Sequence, residues 1–188
     1  LCAQADWLSA SRLPWPLGDR MLSAEVVLKD FESAMRLAYI EDKKDRFKLY
    51  WVAAISLART IGHVLHKVDS EISNEHKKVI SARYEAWKAN REEHKIFWEF
   101  IENERNNLLK EYEFGFLAET HTLVVVDTGE EFDLDWQQYC PMTCGAYQGE
   151  DCRIILEDVA SWWLKEISLI KSELPPNKSS QPTPYRGG

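Results

Sequence analysis

The chain lacks several features that would point directly to a function. Its 188 residues contain no apolar run near the ~20 residues that span a bilayer, no glycine-rich phosphate loop and no internal repeat. The first 17 residues hold Asp6, Arg12 and two prolines in place of the continuous apolar segment of a secretory signal. We therefore expect a cytoplasmic protein without membrane association.

Positive charge is also scarce. The sequence has 31 Asp and Glu residues against 23 Lys and Arg residues, which gives a formal net charge of −8. Proteins that bind phosphate backbones non-specifically gain affinity from clustered Lys and Arg side chains, because these displace counterions. No long basic run is present, so we expect no general DNA binding, although a local basic patch is compatible with the sequence.

Metal-ligand patterns are incomplete. The cysteines are Cys2, Cys140, Cys144 and Cys152. They lack the paired two-residue spacing of zinc sites, and we interpret them as free thiols of a reduced compartment. His63, His66 and Asp69 follow one another at three-residue spacing, but three such residues at a helix end favour structural or solvated histidines over a metal site. We expect neither a metal nor another cofactor.

Aromatic residues, by contrast, are plentiful: eight Trp, seven Tyr and seven Phe. They indicate a thick core, a partner surface, or both. The length fits one domain. We divide the chain into an irregular N-terminal extension (1–20), a helical domain (21–174) and a disordered tail (175–188) rich in Pro and Ser. The tail resembles read-through ends of bacterial mobile gene cassette products.

Apolar residues recur at spacings of three and four along most of the domain, which predicts amphipathic helices. The predicted helices cover 23–41, 46–67, 75–114 with a break near Asn90 and a stop at Gly115, and 151–172. The β-branched run 121–126, a turn at Asp127–Gly129 and an alternating segment 131–134 predict a hairpin near 120–135. The fold class is mainly α: an antiparallel four- to five-helix bundle with a small β-hairpin insertion before the last helix.

Two charges fall on or beside a buried stripe of the third helical segment. The stripe runs through Phe97, Ile101, Leu108 and Tyr112. Glu104 and Arg105 flank or enter this stripe, whereas Asn106 points away from it. A buried charge without a partner is costly, so each should meet a partner on another helix or another subunit. For Arg105 the candidates are Glu25, Asp30 and Glu32. The cluster is then either a structural ion pair or a site in the bundle core or a dimer seam.

Two further surfaces are candidates for partner binding. Trp162 and Trp163 are helix neighbours that diverge by about 100°, so we expect one of them to be exposed at a partner surface. The hairpin carries an acidic strip: Asp127, Glu130, Glu131, Asp133 and Asp135. This strip is either a solvated edge that discourages strand pairing or a docking surface for a basic partner.

The segment from Phe97 to Tyr112, FWEFIENERNNLLKEY, resembles the motif helix of HEPN-domain proteins. That family comprises all-α bundles, often dimers, of prokaryotic toxin–antitoxin and defence systems, and many members are metal-independent ribonucleases. Its signature is an Arg, usually followed by Asn or another polar residue, then four to six residues, then His. Arg105 and Asn106 match the first half, while Lys110, Glu111 and Tyr112 stand where the His would be.

The resemblance implies a homodimeric module that binds a protein or RNA in a mobile-element, toxin–antitoxin or defence context. Its binding candidates are Glu104, Arg105, Tyr112 and Trp162. One alternative is a metal-independent ribonuclease in which Arg105 and Asn106 position the phosphate and another group replaces His. The other alternative is a dimeric scaffold with no enzymatic role.

Overall fold

The computed structural model describes residues 21–175, which form five α-helices and one β-hairpin. The elements are α1 (Ser23–Ile40), α2 (Lys44–Lys67), α3 (Asn74–Ala89), α4 (Glu102–Lys110), β1 (His121–Val124), β2 (Glu131–Leu134) and α5 (Cys152–Glu173). The prediction of a mainly α fold with a hairpin before the last helix is confirmed. The predicted extension (1–20) and all but the first residue of the predicted tail (175–188) lie outside the described residues.

The core lies between α1, α2, α5 and a short π-helix, Ile96–Ile101, that precedes α4. Its largest fully buried side chains are Trp51, Trp163, Phe31, Phe47, Phe97, Phe100, Ile55, Ile61, Ile101, Ile155, Leu156 and Ile170. The apolar stripe predicted for α2 is buried along its length. Lys171 of α5 pairs with Glu25 of α1 at 2.7 Å, so the C-terminal end of α5 lies beside the first turn of α1.

The break predicted near Asn90 is confirmed and is a reversal of the chain. In one straight helix, Tyr84 and Trp98 would be about 21 Å apart along the axis. Their ring centroids are instead 6.1 Å apart, and the Trp98 indole N–H donates to the carbonyl of Trp87 at 3.1 Å. The π-helix therefore folds back against the end of α3.

The start of α1 depends on a carboxylate distant in sequence. Ser23 is the first helical residue, and its N-cap position is held by Leu22, whose side chain cannot accept a hydrogen bond. Asp69, fully buried in the 3₁₀ turn after α2, accepts from the amides of Ser23 and Ala24 at 2.8 and 3.0 Å. Asp69 thus satisfies two of the amides that a helix start leaves free. Both of its carboxylate oxygens are engaged by the start of α1.

The end of α4 differs from the prediction. The helix stops at Lys110, not at Gly115, and Tyr112 adopts a left-handed φ of 53°. Tyr112 was predicted to continue the buried stripe, but its side chain is 67% exposed because it lies beyond the last helical turn. Within residues 21–175, no helix combines the length and apolar character needed to cross a membrane.

Candidate functional site

A face of basic side chains runs along the C-terminal half of α2. Arg59, His63 and His66 recur at spacings of four and three, which places them on one side of the helix. Lys67 extends the set at the helix end. This local concentration of basic side chains contrasts with the net charge of −8 for the whole chain.

The short helix α4 packs beside this face and contributes Arg105. Arg59 bonds Glu102 with Nη2 to Oε1 at 3.4 Å, which fixes the two helices side by side. Arg105 lies one turn beyond Glu102 on the same face of α4. The Arg105 guanidinium donates to Oδ1 of Asn106 at 3.0 Å, and both side chains are half-buried.

The prediction of a carboxylate partner for Arg105 is wrong within the subunit. In the part of the chain that the structure describes, no carboxylate lies within 4.0 Å of its guanidinium. Glu25 pairs with Lys171 instead. Since a half-buried guanidinium gains from a negative partner, Arg105 is suited to meet an anion from outside the subunit.

The pKa of His63 reflects the basic side chains around it. Its pKa is lowered from the ordinary value, first by loss of solvent around the ring and then by positive charges nearby. The charges come, in decreasing order, from Arg59, Arg105, His66 and Lys67. His63 is therefore a neutral imidazole near pH 7, surrounded by donors that would attract a phosphate.

A cavity of about 210 Å³ opens beside these basic side chains. One wall carries Arg59, His63 and His66, and the other carries Tyr84 and Trp87 from α3 and Phe97 from the π-helix. The Arg59 guanidinium lies over the Phe97 ring at 5.4 Å, a cation–π contact that links the two walls. The arrangement combines positive charge with aromatic surface.

The aromatic wall rests on a buried polar cluster that the sequence patterns did not reveal. Glu166 of α5 is fully buried and accepts from Arg83 Nη2 at 2.5 Å and from the Trp87 indole N–H at 2.7 Å. His94 lies next to it and accepts from the Trp162 indole N–H at 3.2 Å. The hydrogen bond to Glu166, which Arg83 also binds, thus holds Trp87 in place at the cavity.

Trp162 is not exposed, contrary to the expectation that one residue of the Trp pair faces a partner. Its side chain is 9% exposed and Trp163 is fully buried. The two indoles pack at 4.7 Å between centroids in an edge-to-face arrangement. Both can be buried because α5 is covered on several sides, by α1, by α3 and by the π-helix.

Glu104 is buried as expected but points away from Arg105. It is 4% exposed, and its carboxylate accepts from the Gly115 amide at 3.3 Å. Burial raises its pKa, and the nearby Gly115 amide and Trp51 indole partly offset that effect. A Cβ at Gly115 would lie 2.3 Å from Glu104 Oε1, so the buried Glu104 side chain would have to shift to admit one. The structure therefore separates Glu104, a core residue, from Arg105, which is half-buried.

The thiols and histidines do not form a metal centre in the described part of the chain, where no cluster of three or more His, Cys, Asp or Glu could hold an ion. Cys140 and Cys152 are buried next to each other, whereas Cys144 is exposed. Burial raises the pKa of Cys152 well above its ordinary value. Comparisons of the chain with models of known families, with curated proteins and with solved structures find no match.

Proposed function

We propose that this protein is a HEPN-like module that binds single-stranded RNA as a homodimer, without the standard catalytic His. The setting we propose is cytoplasmic, in a mobile-element, toxin–antitoxin or defence context. Arg105 and Asn106 contact phosphate, assisted by Arg59, His63 and the nearby cations. The proposal is supported by the bundle fold and by the motif resemblance of residues 97–112.

The observation that carries the proposal is the position of Arg105. A half-buried guanidinium with no carboxylate partner lies among other cations on a chain of net charge −8. Structural arginines are normally neutralised by carboxylates within their own fold. Here the missing negative charge would be supplied by the ligand, and phosphate matches the fork of guanidinium donors.

The cavity supports RNA over a protein partner. At about 210 Å³ it is smaller than the roughly 300–1,000 Å³ of pockets for drug-sized ligands, and it suits one planar ring system. Tyr84 and Arg59 offer surfaces on which an unstacked base can lie while its phosphate meets Arg105. Single-stranded RNA is commonly recognised through such stacking combined with backbone contacts.

Fluorescence anisotropy with a labelled single-stranded RNA tests this function. We expect Arg105→Ala and Arg59→Ala to weaken binding, and the salt dependence of log K to become shallower by about 0.7 for each phosphate that the variant no longer neutralises. Arg36→Ala, which removes an exposed side chain of α1, is the matched control and should bind as the wild type does. Absence of RNA binding by the wild type would contradict the proposal and favour a protein partner or a scaffold.

One observation favours a second candidate, a metal-independent ribonuclease. His63 is close enough to Arg105 for that charge to lower its pKa, so a neutral imidazole lies beside the proposed phosphate. Such an imidazole could accept the proton of a ribose 2′-hydroxyl. Cleavage of RNA in the presence of EDTA, lost in His63→Gln while binding persists, would establish this activity. RNA binding without cleavage would contradict the ribonuclease and support the non-catalytic RNA-binding module.

A further inference from the structure

The β-hairpin has a free edge of uncharged residues. Its register pairs His121 with Leu134 and Val124 with Glu131, and the Val125 amide donates to the Glu130 carbonyl at 2.8 Å. Because hydrogen-bonded and non-hydrogen-bonded pairs alternate in an antiparallel ladder, the main-chain groups of Thr122 and Val124 point away from β2. Within residues 21–175, these outward groups meet no hydrogen-bond partner.

The two strands differ sharply in charge. β2 and its flanks carry Glu130, Glu131, Asp133 and Asp135, all exposed, which protects that edge from pairing with another strand. β1 carries no acidic residue, and Leu123 and Val124 are 46% and 56% exposed. An unprotected apolar edge of this kind is a template for strand addition.

The hairpin also lacks support on its apolar face. Leu123, Val125 and Phe132 alternate onto one face and are each more than a third exposed. An isolated two-stranded hairpin is marginally stable in water, and further strands or a packed helix normally stabilise it. A third strand beside β1 would stabilise the hairpin by extending its sheet.

We propose that the occupant of this edge is β1 of a second copy, so that two hairpins form one four-stranded antiparallel sheet across a two-fold axis at Leu123. Thr122 of one copy then pairs with Val124 of the other, and the reverse, which gives four main-chain hydrogen bonds. This interface gives a location to the homodimer of the proposed function and does not depend on RNA binding.

Charge distribution favours a second copy over a basic partner. A basic strand would gain most beside acidic β2, not beside uncharged β1. In the four-stranded sheet, the two β2 strands lie at opposite outer edges, three strand spacings or about 14 Å apart. That separation exceeds the ~8 Å Debye length at physiological salt, so repulsion between the acidic strips is screened. With few residues on each side, the dimer should be weak and concentration-dependent.

Sedimentation velocity over a concentration series tests the interface, using two proline variants at directly opposed residues. Val124→Pro removes an outward amide from the β1 edge, whereas Glu131→Pro removes an outward amide from the β2 edge. Neither substitution removes a hydrogen bond within the hairpin. We expect the wild type and Glu131→Pro to reach twice the chain mass of 21.9 kDa, and Val124→Pro to remain monomeric.

Two sedimentation results would overturn the interface. A wild type that stays monomeric at every concentration would remove the homodimer altogether, whatever the result of the RNA assay. A Val124→Pro variant that still dimerises would place the interface elsewhere. As a check independent of folding of the variant, hydrogen exchange in the wild type should show that amides of residues 121–126 gain protection as concentration rises. Unchanged exchange in that segment would contradict the proposal.

Discussion

Substitution of Glu166, whose carboxylate is buried, should be among the changes that destabilise the fold most. Glu166 is fully buried, and it accepts from Arg83 Nη2 at 2.5 Å, from Arg83 Nε at 3.2 Å and from the Trp87 indole at 2.7 Å. The Arg83 side chain is only 19% exposed. Glu166→Ala would leave that guanidinium and the indole N–H without an acceptor while removing packed atoms from the core.

The size of the effect follows from this burial. Breaking a buried ion pair by removing one partner costs about 3–5 kcal/mol, because an uncompensated charge remains. For a domain of this size, each kcal/mol lowers the melting temperature by roughly 2–4 °C, so the expected decrease is about 6–20 °C. Urea unfolding followed by far-UV circular dichroism measures the free energy directly, and thermal unfolding measures the shift.

The neighbouring residue of α5 provides the control. Lys165 pairs with Glu93 at 3.7 Å, and these side chains are 60% and 56% exposed. Exposed pairs contribute about 0–1 kcal/mol, so Lys165→Ala should change stability little. Replacing both Arg83 and Glu166 by Met should recover much of the stability, since no charge is then left unpaired. A Glu166→Ala variant within about 1 kcal/mol of the wild type would refute this reasoning about the ion pair.

Three further predictions concern other buried groups. Gly115→Ala should lower the free energy of unfolding in urea by about 1–3 kcal/mol, because its Cβ would lie 2.3 Å from Glu104 Oε1. Gly129→Ala is the control: its Cβ would meet open space, so the variant measures only the strain of a φ of +70°. For Glu104 the folded pKa is raised, so its contribution to stability is complete below the unfolded pKa and is lost as pH rises through the folded pKa. Because Gln does not titrate, the stability of Glu104→Gln relative to the wild type should increase from acid to neutral pH. An equal stability difference at the two pH values would contradict the raised pKa of Glu104. Alkylation mapped by mass spectrometry should modify exposed Cys144 rapidly and buried Cys152 slowly, and equal rates would contradict their placement.

The helices were predictable because each buries a periodic face. The stripe of α2 and the break near Asn90 are visible in the sequence as local patterns, and they appear in the structure within a few residues of the predicted bounds. The hairpin likewise follows from local signals, a β-branched run and a glycine-containing turn. The function of the hairpin stays a prediction, because local sequence signals do not show which other segment or chain packs against its exposed residues.

The candidate site was only partly predictable because it depends on pairs distant in sequence. Arg105 and Asn106 were identified from their own helix, but the effect of the Arg105 charge on His63 follows from the packing of α4 on α2. The Arg83 and Glu166 pair joins residues 83 positions apart, and neither residue stands out locally. The predicted exposure of Trp162 was wrong because it assumed that α5 buries only one face. In the structure, α5 packs against α1, α3 and the π-helix.

The π-helix Ile96–Ile101 has a consequence for how this chain can vary in length. A π-turn holds about one residue more than an α-helical turn, and such insertions recur at functional positions. One residue corresponds to about 100° of rotation around the axis. Deleting a residue here would restore a regular helix, but it would rotate α4 relative to the residues before it. If Phe97 and Phe100 then stayed in the core, Arg105 would turn away from α2. The direction of Arg105 is thus set by the number of residues in the preceding turn, and not by its own chemistry.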